Sequence, residues 1–586
     1  MKSFFKFTFA SFLGMALFMI VLIIFIISVA AGSSSKEPFV VKDNSIIKIK
    51  LSKGVVDRAS ENPMENFNFQ AMKTDNKMGL NTILKQLDFA KTDDKIKGIY
   101  LDLTSIPAGV ATMEEIREAL ADFKSSGKFI IAYADYYTQK TYYLASVANK
   151  VYVNPEGLVE LKGLNAEVMF YTAALKKIGV EPIIIRHGKF KSAVEPFMLT
   201  AMSEANKEQT STFIGTIWNN ILDAISQSRG ISIDELNRFA DEMLINDAKS
   251  SLEYKLVDGL KYKDEIQQEL MDSVGVTEFD DVEFISLNQY KDATKVNPDK
   301  KPTKDKIAII YATGEIGMGE GGNSKIGSDG TSEQIRIARK DSSVKAIVLR
   351  VNSPGGSALA SDIIWREMVL AKDIKPVIVS MGDVAASGGY YIACPADRIF
   401  ASKNTITGSI GVFGLMWNAN ELMNNIGVSV DGYKTNAHSD LGSTSRPMTE
   451  DEKAVIQKSV VDIYGTFISH VGEGRGMTTA DVDSIGQGRV WSGVNAIEIG
   501  LIDEFGGLKA AIDFAAEKAS LENYRIMELP KQKDFVEELI SEFMGNTKAS
   551  ILEESLGMSY KYYNGLNKIL HTKGVQARMP MEFDIH

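Results

Sequence analysis

Apolar runs alternate with amphipathic stretches along most of the chain. Ile96–Leu103 and Phe129–Tyr133 are almost continuously apolar, which is typical of strands buried on both faces of a parallel sheet. Strands that alternate with helices predict an α/β protein with parallel sheets. Between these two runs, apolar residues recur at helical spacing, and they predict an amphipathic helix with an inner face of Met113, Ile116, Ala119, Leu120 and Phe123.

This order of elements occurs twice. The segment that begins at Asp94 matches the segment at Ser342 in pattern, and the two are 248 positions apart (342 minus 94). Tyr142-Tyr with Tyr390-Tyr, and Ile178-Gly-Val with Ile426-Gly-Val, repeat the same offset. A constant offset predicts two copies of one α/β unit. The predicted strands are Ile46–Leu51, Ile96–Leu103 and Phe129–Tyr133 in the first copy, and Ile307–Tyr311, Val344–Val351 and Val377–Ser380 in the second.

The N-terminus has a different character. Lys2 and Lys6 precede a run from Phe7 to Ala31 that contains no charged residue and is long enough to span a bilayer as a helix. Basic residues before such a helix predict a cytoplasmic N-terminus, with the rest of the chain on the outer side of a bacterial inner membrane. A cleaved signal is the alternative, because the sequence at 30–33, Ala-Ala-Gly-Ser, resembles a cleavage site. The length of the run favours an uncleaved anchor.

These patterns divide the 586-residue chain into five parts. We predict an anchor over 1–45, a first unit over 46–296, a polar linker over 297–306, a second unit over 307–525 and a C-terminal tail over 526–586. The tail could dock on its own domain, on another subunit or on a membrane, because it is amphipathic at Phe535, Leu539, Ile540 and Phe543.

Charge and cysteine content exclude some functions. The formal net charge of −11 offers no basic surface for nucleic acid. The single cysteine, Cys394, excludes an intrachain disulfide and a cysteine-rich metal site, and we expect it in the core. No metal or nucleotide motif is evident, so the sequence predicts no cofactor.

A candidate nucleophile lies in the stretch 381–391, which follows the predicted strand Val377–Ser380. Small residues and glycines after a buried strand suit a sharp turn into a helix, where a side chain can stand exposed. Ser387 is the candidate nucleophile, and the Gly388 N–H is a candidate oxyanion donor. The alternative is a small-residue helix packed closely on a sheet.

A second loop follows the strand that ends at Val351. Its sequence over 352–357 is Asn-Ser-Pro-Gly-Gly-Ser, and adjacent glycines let the backbone turn an N–H toward a ligand. Gly356 is therefore our candidate for the second oxyanion donor. An ordinary Pro-Gly turn is the alternative.

Taken together, these motifs resemble those of a known protein family. The loop at 352–357, the sequence Ala-Ser-Gly-Gly-Tyr-Tyr at 386–391 and the sequence Thr-Gly-Ser-Ile-Gly-Val at 407–412 resemble the Clp-protease/crotonase type of fold. They resemble the signal peptide peptidase A family more closely, and the segment 189–197 resembles that family's lysine segment. The anchor and the duplication are similar to the long, two-domain form of the family over roughly 1–525. The resemblance implies tandem Clp/crotonase-like units.

A serine hydroxyl needs a base before it can attack. His187, His438 and His470 lie in no motif that pairs them with an acid, whereas a desolvated lysine can act as the base. The resemblance selects Lys191, which has apolar neighbours; Lys189 is a competitor, and a salt-bridged surface lysine is the bland alternative. Ser409 is our candidate for orienting the lysine, with a loop cap as the alternative.

The repeat gives an independent argument for this pairing. The offset of 248 places Gln139 opposite Ser387 and Ser439 opposite Lys191, so each copy lacks one partner. We therefore predict one Ser–Lys site per chain, formed within that chain. A site shared between neighbouring subunits is the alternative.

The resemblance implies a serine endopeptidase that degrades remnant signal peptides, and a ring-like homo-oligomer that is a tetramer. Two other classes stay open at this point: a crotonase-like enzyme that acts on acyl-CoA, and a membrane-tethered scaffold without catalytic activity. The cleavage preference does not follow from the sequence.

Overall fold

The computed structural model describes residues 6–15, 17–18, 39–60, 67–68, 73–74, 77–293, 303–322, 324–532 and 574–579. Within these ranges the protein is α/β, as predicted. Residues 6–15 and 17–18 are helical, while most of the predicted anchor and the four apolar tail residues Phe535, Leu539, Ile540 and Phe543 lie outside the described residues. No helix in the described part of the chain is both long and apolar enough to cross a membrane.

The first half is built on a six-stranded parallel sheet. The buried runs at 96–103 and 129–133 form neighbouring strands, because their β-branched side chains can be covered on both faces. In spatial order the strands are Gly259–Leu260, Lys150–Val153, Phe129–Ala134, Ile96–Asp102, Ser45–Ile49 and Phe284–Ser286. Two small pairs flank it: Val55–Val56 with Met78–Gly79, and Phe67–Asn68 with Lys73–Thr74.

The second half has an eight-stranded sheet that is parallel except at one edge. Its strands are longer than predicted, and the strand Val377–Ala386 reaches the residue before Ser387. Along the main path the order is Val490–Ser492, Ile406–Gly408, Val377–Ala386, Val344–Ser353, Lys306–Thr313 and Arg525–Leu529, with Arg398–Ala401 and Glu504–Phe505 beside it.

Equivalent helices cover the two sheets, and many keep the offset seen in the sequence. Leu80–Thr92 and Ser328–Lys340 begin and end 248 residues apart (328 minus 80), and so do Val110–Lys124 and Ala358–Lys372. The other helices of the first half are Gln139–Ala145, Thr172–Lys177, Ser192–Val194, Glu195–Met198, Glu204–Arg229, Ile233–Asp241, Ala248–Glu253, Lys263–Val274, Phe279–Asp281 and Leu287–Ala293. Those of the second half are Gly388–Ala393, Asn420–Asn425, Glu450–Arg475, Thr479–Ile485, Gly493–Glu498 and Leu508–Lys518.

Local capping signals set the ends of the two longest helices. Ser203 caps Glu204–Arg229, Thr449 caps Glu450–Arg475, and a left-handed glycine follows each of them. The predicted inner face of the helix Val110–Lys124 packs in the core, with Met113, Ile116, Leu120 and Phe123 buried and Ala119 half-buried.

A third, seven-stranded sheet joins the halves. The first-half strand Glu181–Arg186 pairs antiparallel with Phe413–Asn418 of the second half over six residue pairs. Because the lysine segment directly follows Glu181–Arg186, this pairing places that first-half segment next to the second half. The full order is Gly321–Gly322, Lys325–Gly327, Glu315–Gly317, Gly355–Ser357, Gly574–Arg578, Phe413–Asn418 and Glu181–Arg186.

A buried ion network fixes the same interface. Arg350, which is fully buried, donates to Asp57 at 2.8 Å and to Glu115 at 2.6 Å, and both carboxylates belong to the first half. Asp57 also accepts from Asn352 at 2.9 Å, so the network reaches the loop at 352–357. Burial alone would lower the pKa of the Arg350 guanidinium, but the carboxylates of Glu115 and Asp57 together outweigh burial and raise this pKa above its ordinary value. Any other arrangement of the two halves would leave these buried charges without partners, so the network favours the arrangement observed.

Candidate active site

Ser387 lies at the turn between the strand Val377–Ala386 and the short helix Gly388–Ala393. Its φ of 56° is in a region that residues with a side chain rarely adopt. Two backbone bonds hold it there: the Ser387 N–H donates to the Gly408 carbonyl, and the Tyr391 N–H donates to the Ser387 carbonyl, each at 2.8 Å. The strained turn aims the hydroxyl away from the strand, as a nucleophile elbow does.

The structure corrects one expectation about Ser387. The sequence predicted an exposed side chain at the helix start, but Ser387 is 0% exposed. The first-half lysine segment and the loop at 408–411 cover the hydroxyl, and the Gly411 carbonyl lies 3.5 Å from it. Burial by distant segments could not be read from the local turn pattern.

Lys191 approaches Ser387 from the first half. It follows the strand Glu181–Arg186 and precedes the turn of 3₁₀ helix Ser192–Val194. The Gln209 side-chain amide donates to the Phe190 carbonyl at 3.1 Å and to the Ser192 hydroxyl at 2.8 Å. These bonds on both sides of Lys191 fix the backbone from which its side chain extends.

The amine and the hydroxyl meet at hydrogen-bond distance. Lys191 Nζ lies 2.8 Å from Ser387 Oγ, and it lies 3.1 Å from both the carbonyl oxygen and the Oγ of Ser409. Lys191 is 0% exposed, and burial lowers the pKa of its amine well below the ordinary value. A lysine that is neutral near pH 7 can accept the proton of a serine hydroxyl.

Ser409 is held in a strained loop beside the amine. Its φ is 50°, it is fully buried, and its N–H donates to the Arg489 carbonyl at 2.7 Å. Two of its oxygens contact Lys191 Nζ, so the loop restricts where the amine can lie. This position suits the orienting role expected from the sequence.

The two glycine candidates lie on loops that converge beside Ser387. A Cβ at Gly356 would come 2.0 Å from the Ile316 carbonyl oxygen, and one at Gly388 would come 2.6 Å from the Ser361 hydroxyl. The space that a Cβ would take at Gly355 lies 2.7 Å from the Gly388 nitrogen. Only glycine lets these two backbone segments approach so closely.

The competing bases lie elsewhere. Lys189 is exposed, with its Nζ 5.1 Å from the centre of the Phe190 ring. His187 packs on Tyr464, His470 stacks on Trp365, and the exposed His438 lies 3.4 Å from Glu452. Cys394 is buried, as expected for a core residue.

Three features of the site were not among those predicted from the sequence. Gln209 fixes the lysine segment, the ion network around Arg350 reaches the loop at 352–357, and the strand Gly574–Arg578 pairs with Gly355–Ser357 and with the strand at Phe413. None of these was predicted. Glu115 carried a usable signal, because it lies on a helix between the apolar positions Met113 and Ile116. The strand also carried a signal, because apolar and polar residues alternate over 575–579, whereas Gln209 carried none.

Two segments of the chain, 122–277 and 370–522, match the model of peptidase family S49. They begin 248 positions apart (370 minus 122), and each lies in one half of the molecule. The chain belongs to peptidase family S49. It is therefore a serine peptidase, and the acyl-CoA alternative is wrong, because this family consists of peptidases.

Two longer relatives match most of the chain, and a shorter one matches a third of it. Protease 4 of Salmonella typhi is 37% identical over 480 residues, which are 80% of this chain and 77% of that protein. The chloroplastic serine protease SPPA of Arabidopsis thaliana is 34% identical over 84% of this chain and 72% of its own length. A putative signal peptide peptidase SppA of Enterococcus faecium is 37% identical over 33% of this chain and 57% of its own length.

The solved structures reported as similar match this chain only weakly. ClpP1 of Listeria monocytogenes, as its N165D mutant, overlaps 35% of this chain and 94% of its own length, with a TM-score of 0.24 at 18% identity. So low a score carries no argument, and the Clp/crotonase-like form of each half stays a prediction.

Proposed function

We propose that this S49 peptidase is a membrane-anchored endopeptidase that cleaves remnant signal peptides with a Ser387–Lys191 dyad. The observation that carries the proposal is the 2.8 Å contact between a buried hydroxyl and a buried amine whose pKa is lowered by desolvation. Neutral Lys191 takes the proton of Ser387, which attacks the peptide carbonyl. Protonated Lys191 then gives its proton to the leaving amine, and water releases the acyl group.

The oxyanion is stabilised by backbone N–H groups in this proposal. Gly388 directly follows the nucleophile, and Gly356 belongs to the second glycine loop that reaches the same place. Their N–H groups are the donors, and each such donor is worth about 10²-fold to 10³-fold in rate. Ser409 keeps the lysine amine in line with the serine.

A peptide substrate is supported by the shape of the seven-stranded sheet. The strands Gly355–Ser357 and Phe413–Asn418 are separated by the width of one strand beside Ser387, so an extended peptide can pair with both of them. Backbone pairing gives affinity without a fixed sequence. The name of the Enterococcus relative and the apolar run at 7–31 support apolar signal peptides and a membrane location.

The location follows from the N-terminal sequence. We propose a single-pass anchor in a bacterial inner membrane, with the N-terminus in the cytoplasm and the catalytic halves outside. The apolar side chains of the described N-terminal helical residues are exposed in the folded chain, including Phe7 at 71% and Phe12 at 67%, which a lipid environment would cover.

We also propose a ring of identical chains, with the tetramer that the family resemblance implies. The internal pairing of Glu181–Arg186 with Phe413–Asn418 has an unused equivalent at 429–434 and 165–170, by the repeat offset of 248. Neither segment is a strand in the single chain, and Val430 and Tyr433 are 62% and 97% exposed. Pairing between neighbours would be head-to-tail, and such an interface forms a ring when the rotation between neighbouring chains closes.

A covalent probe tests the dyad. The full-length protein is treated with a fluorophosphonate and the labelled peptide is identified by mass spectrometry; we expect one labelled residue, Ser387. Ser387→Ala should lose the label and the hydrolysis of a fluorogenic signal peptide, while Gln139→Ala, at the equivalent position of the first half, keeps both. Peptide turnover that survives in Ser387→Ala would reject the proposal, as would a folded wild-type enzyme that leaves signal peptides uncut.

A further inference from the structure

A turn at residues 486–489, the bridging turn, is bonded to both supports of the candidate dyad. The Phe190 N–H, one residue before the catalytic lysine, donates to the Gln487 carbonyl at 2.9 Å. The Ser409 N–H donates to the Arg489 carbonyl at 2.7 Å. The bridging turn therefore connects the backbone that carries the lysine to the loop whose oxygens contact the lysine amine.

The bridging turn also packs directly on the lysine. Gly488 has a φ of 85°, and a Cβ on it would lie 2.6 Å from both Cα and Cβ of Lys191. A Cβ on Gly411 would lie 2.7 Å from the Gly488 Cα and 3.3 Å from the Lys191 Cδ. Since these groups leave no room for even a methyl group, a shift of the turn changes where the lysine side chain can lie.

The Arg489 side chain fastens the bridging turn to the first half. Its Cζ lies 4.7 Å from the centre of the Phe190 ring and 4.4 Å from that of the Trp491 ring. Its Nη1 lies 2.9 Å from Glu208 Oε1, on the long first-half helix. One second-half cation thus contacts two side chains of the first half, and one of them is next to Lys191 in sequence.

Neighbouring hydrogen bonds fix the rings that the guanidinium contacts. The Trp491 Nε1–H donates to the Ile485 carbonyl at 3.0 Å. The Gln209 side chain accepts from the Val490 N–H at 3.2 Å and donates to the Phe190 carbonyl at 3.1 Å. A planar cation that stacks on aromatic rings suits this place better than a compact ammonium group does.

We propose that Arg489 is a positioning residue for peptide hydrolysis, which keeps Lys191 Nζ in line with Ser387 Oγ by holding the bridging turn against the lysine segment. This proposal rests on the Ser387–Lys191 dyad argued above. Arg489 acts through the turn and not on the reacting atoms. Its loss therefore slows proton transfer, while the strands Gly355–Ser357 and Phe413–Asn418 still pair with a peptide.

A second consequence concerns the environment of the amine. Burial lowers the pKa of the Lys191 amine well below its ordinary value. When the bridging turn moves away from the lysine side chain, water reaches the amine and this pKa rises toward its ordinary value. Because the neutral amine is the base, the midpoint of kcat/KM against pH then moves to higher pH.

The test measures hydrolysis of a fluorogenic signal peptide by the full-length enzyme, with denaturant unfolding to show that each variant is folded. Arg489→Met should lower kcat by about tenfold to 10²-fold, keep KM within about threefold of the wild-type value and move the pH midpoint upward. Arg489→Lys keeps a cation next to Glu208 but not the planar group, so it should recover only part of kcat.

Arg398→Met is the matched control. Arg398 pairs with Glu504 at 3.0 Å, and its Cζ lies 5.5 Å from the centre of the Phe514 ring, so its contacts are of the same kind. It lies beside the beginning of the strand Val377–Ala386, whereas Ser387 follows the end of that strand. This variant should keep the wild-type kcat and pH midpoint.

An Arg489→Met enzyme with the wild-type kcat, or with an unmoved pH midpoint, would overturn the proposal. A rise in KM alone would also overturn it, because the arginine would then act in substrate binding. Should Arg489→Met not fold, wild-type kcat and midpoint in Arg489→Lys would count against the proposal in the same way. Wild-type turnover that survives Ser387→Ala would instead show that the dyad itself is wrong, and the role of Arg489 with it.

Discussion

The two halves of this peptidase differ most at one equivalent position. In the first half, the Gln139 side chain accepts from the N–H groups of Lys162 and Gly163 at 3.0 and 3.1 Å and donates to the Gly163 carbonyl. In the second half, Ser387 faces the equivalent residue, Gly411, at 3.5 Å and leaves space for Lys191. The same turn therefore acts as a structural clamp in one copy and as a catalytic elbow in the other.

At the position of the lysine, the first half has the catalytic residue and the second half lacks it. Lys191 is fully buried next to Ser387, whereas its second-half equivalent, Ser439, is exposed and donates to the Asn436 carbonyl at 2.9 Å. Each half has lost what the other supplies. A duplicated unit can therefore divide one site between its copies, provided that the interface between them is rigid.

The largest effect is expected at the lysine. Lys191→Met should lower kcat/KM for a fluorogenic peptide by about 10⁴-fold or more, because Lys191 is the one basic side chain of the described residues in contact with the serine hydroxyl. Lys189→Met is the matched control and should stay within a few-fold of the wild type, since Lys189 is exposed. If Lys189→Met were the inactive variant, the base would be misassigned by two residues.

A mixing experiment tests whether the two halves that form one site belong to the same chain. Chains carrying Ser387→Ala are co-expressed with chains carrying Lys191→Met, and oligomers that contain both are purified through two different tags. We expect no activity, because Lys191 and Ser387 of the same chain lie 2.8 Å apart and every site would lack one partner. Activity that appears only in the mixed oligomers would show a site shared between chains.

The rigidity of the interface can be weakened at Arg350. Arg350→Met leaves Asp57 and Glu115 buried without their cation, and we expect the free energy of unfolding to fall by about 3–5 kcal/mol. Denaturant unfolding measures the loss. Arg336→Met is the control, because that arginine pairs with Glu333 and Glu367 near the surface, where solvent screens the charges, and its loss should lower the free energy of unfolding far less. Equal losses in the two variants would contradict the role of the network.

The smallest expected effect is the dependence of activity and stability on pH. Because Lys191 acts as a neutral base, kcat/KM should rise about tenfold per pH unit below the lowered pKa of its amine and become level above that pKa. The same pKa affects stability: between the lowered folded pKa and the unfolded value of about 10.4, the unfolded chain binds the extra proton, so stability rises with pH.

Lys191→Met should remove that contribution to the slope of unfolding free energy against pH, and denaturation at several pH values in this window measures it. Lys189→Met should leave the slope unchanged. Activity that falls as the pH rises through the window would contradict a neutral lysine.

Local sequence determined much of the fold. The apolar runs at 96–103 and 344–351 predict strands because buried parallel strands need continuous apolar sequence, and the offset of 248 reappears in the helix boundaries. The turn at Ser387 was also predictable, since small residues and glycines after a strand permit few other conformations.

The repeat and the family resemblance predicted that Ser387 pairs with Lys191, but only the tertiary structure decided which contacts bring the two residues together. Ser387 and Lys191 are 196 residues apart in sequence, and the strand pairing between Glu181–Arg186 and Phe413–Asn418 brings them together. Contacts between distant segments also decide that Ser387 is buried and that Ala577 lies beside Gly355. Hydrophobic periodicity reports which face of an element is buried, but it carries no information about which distant segment covers that face. That choice depends on shape and charge at the interface between the halves, where Arg350 meets its two carboxylates.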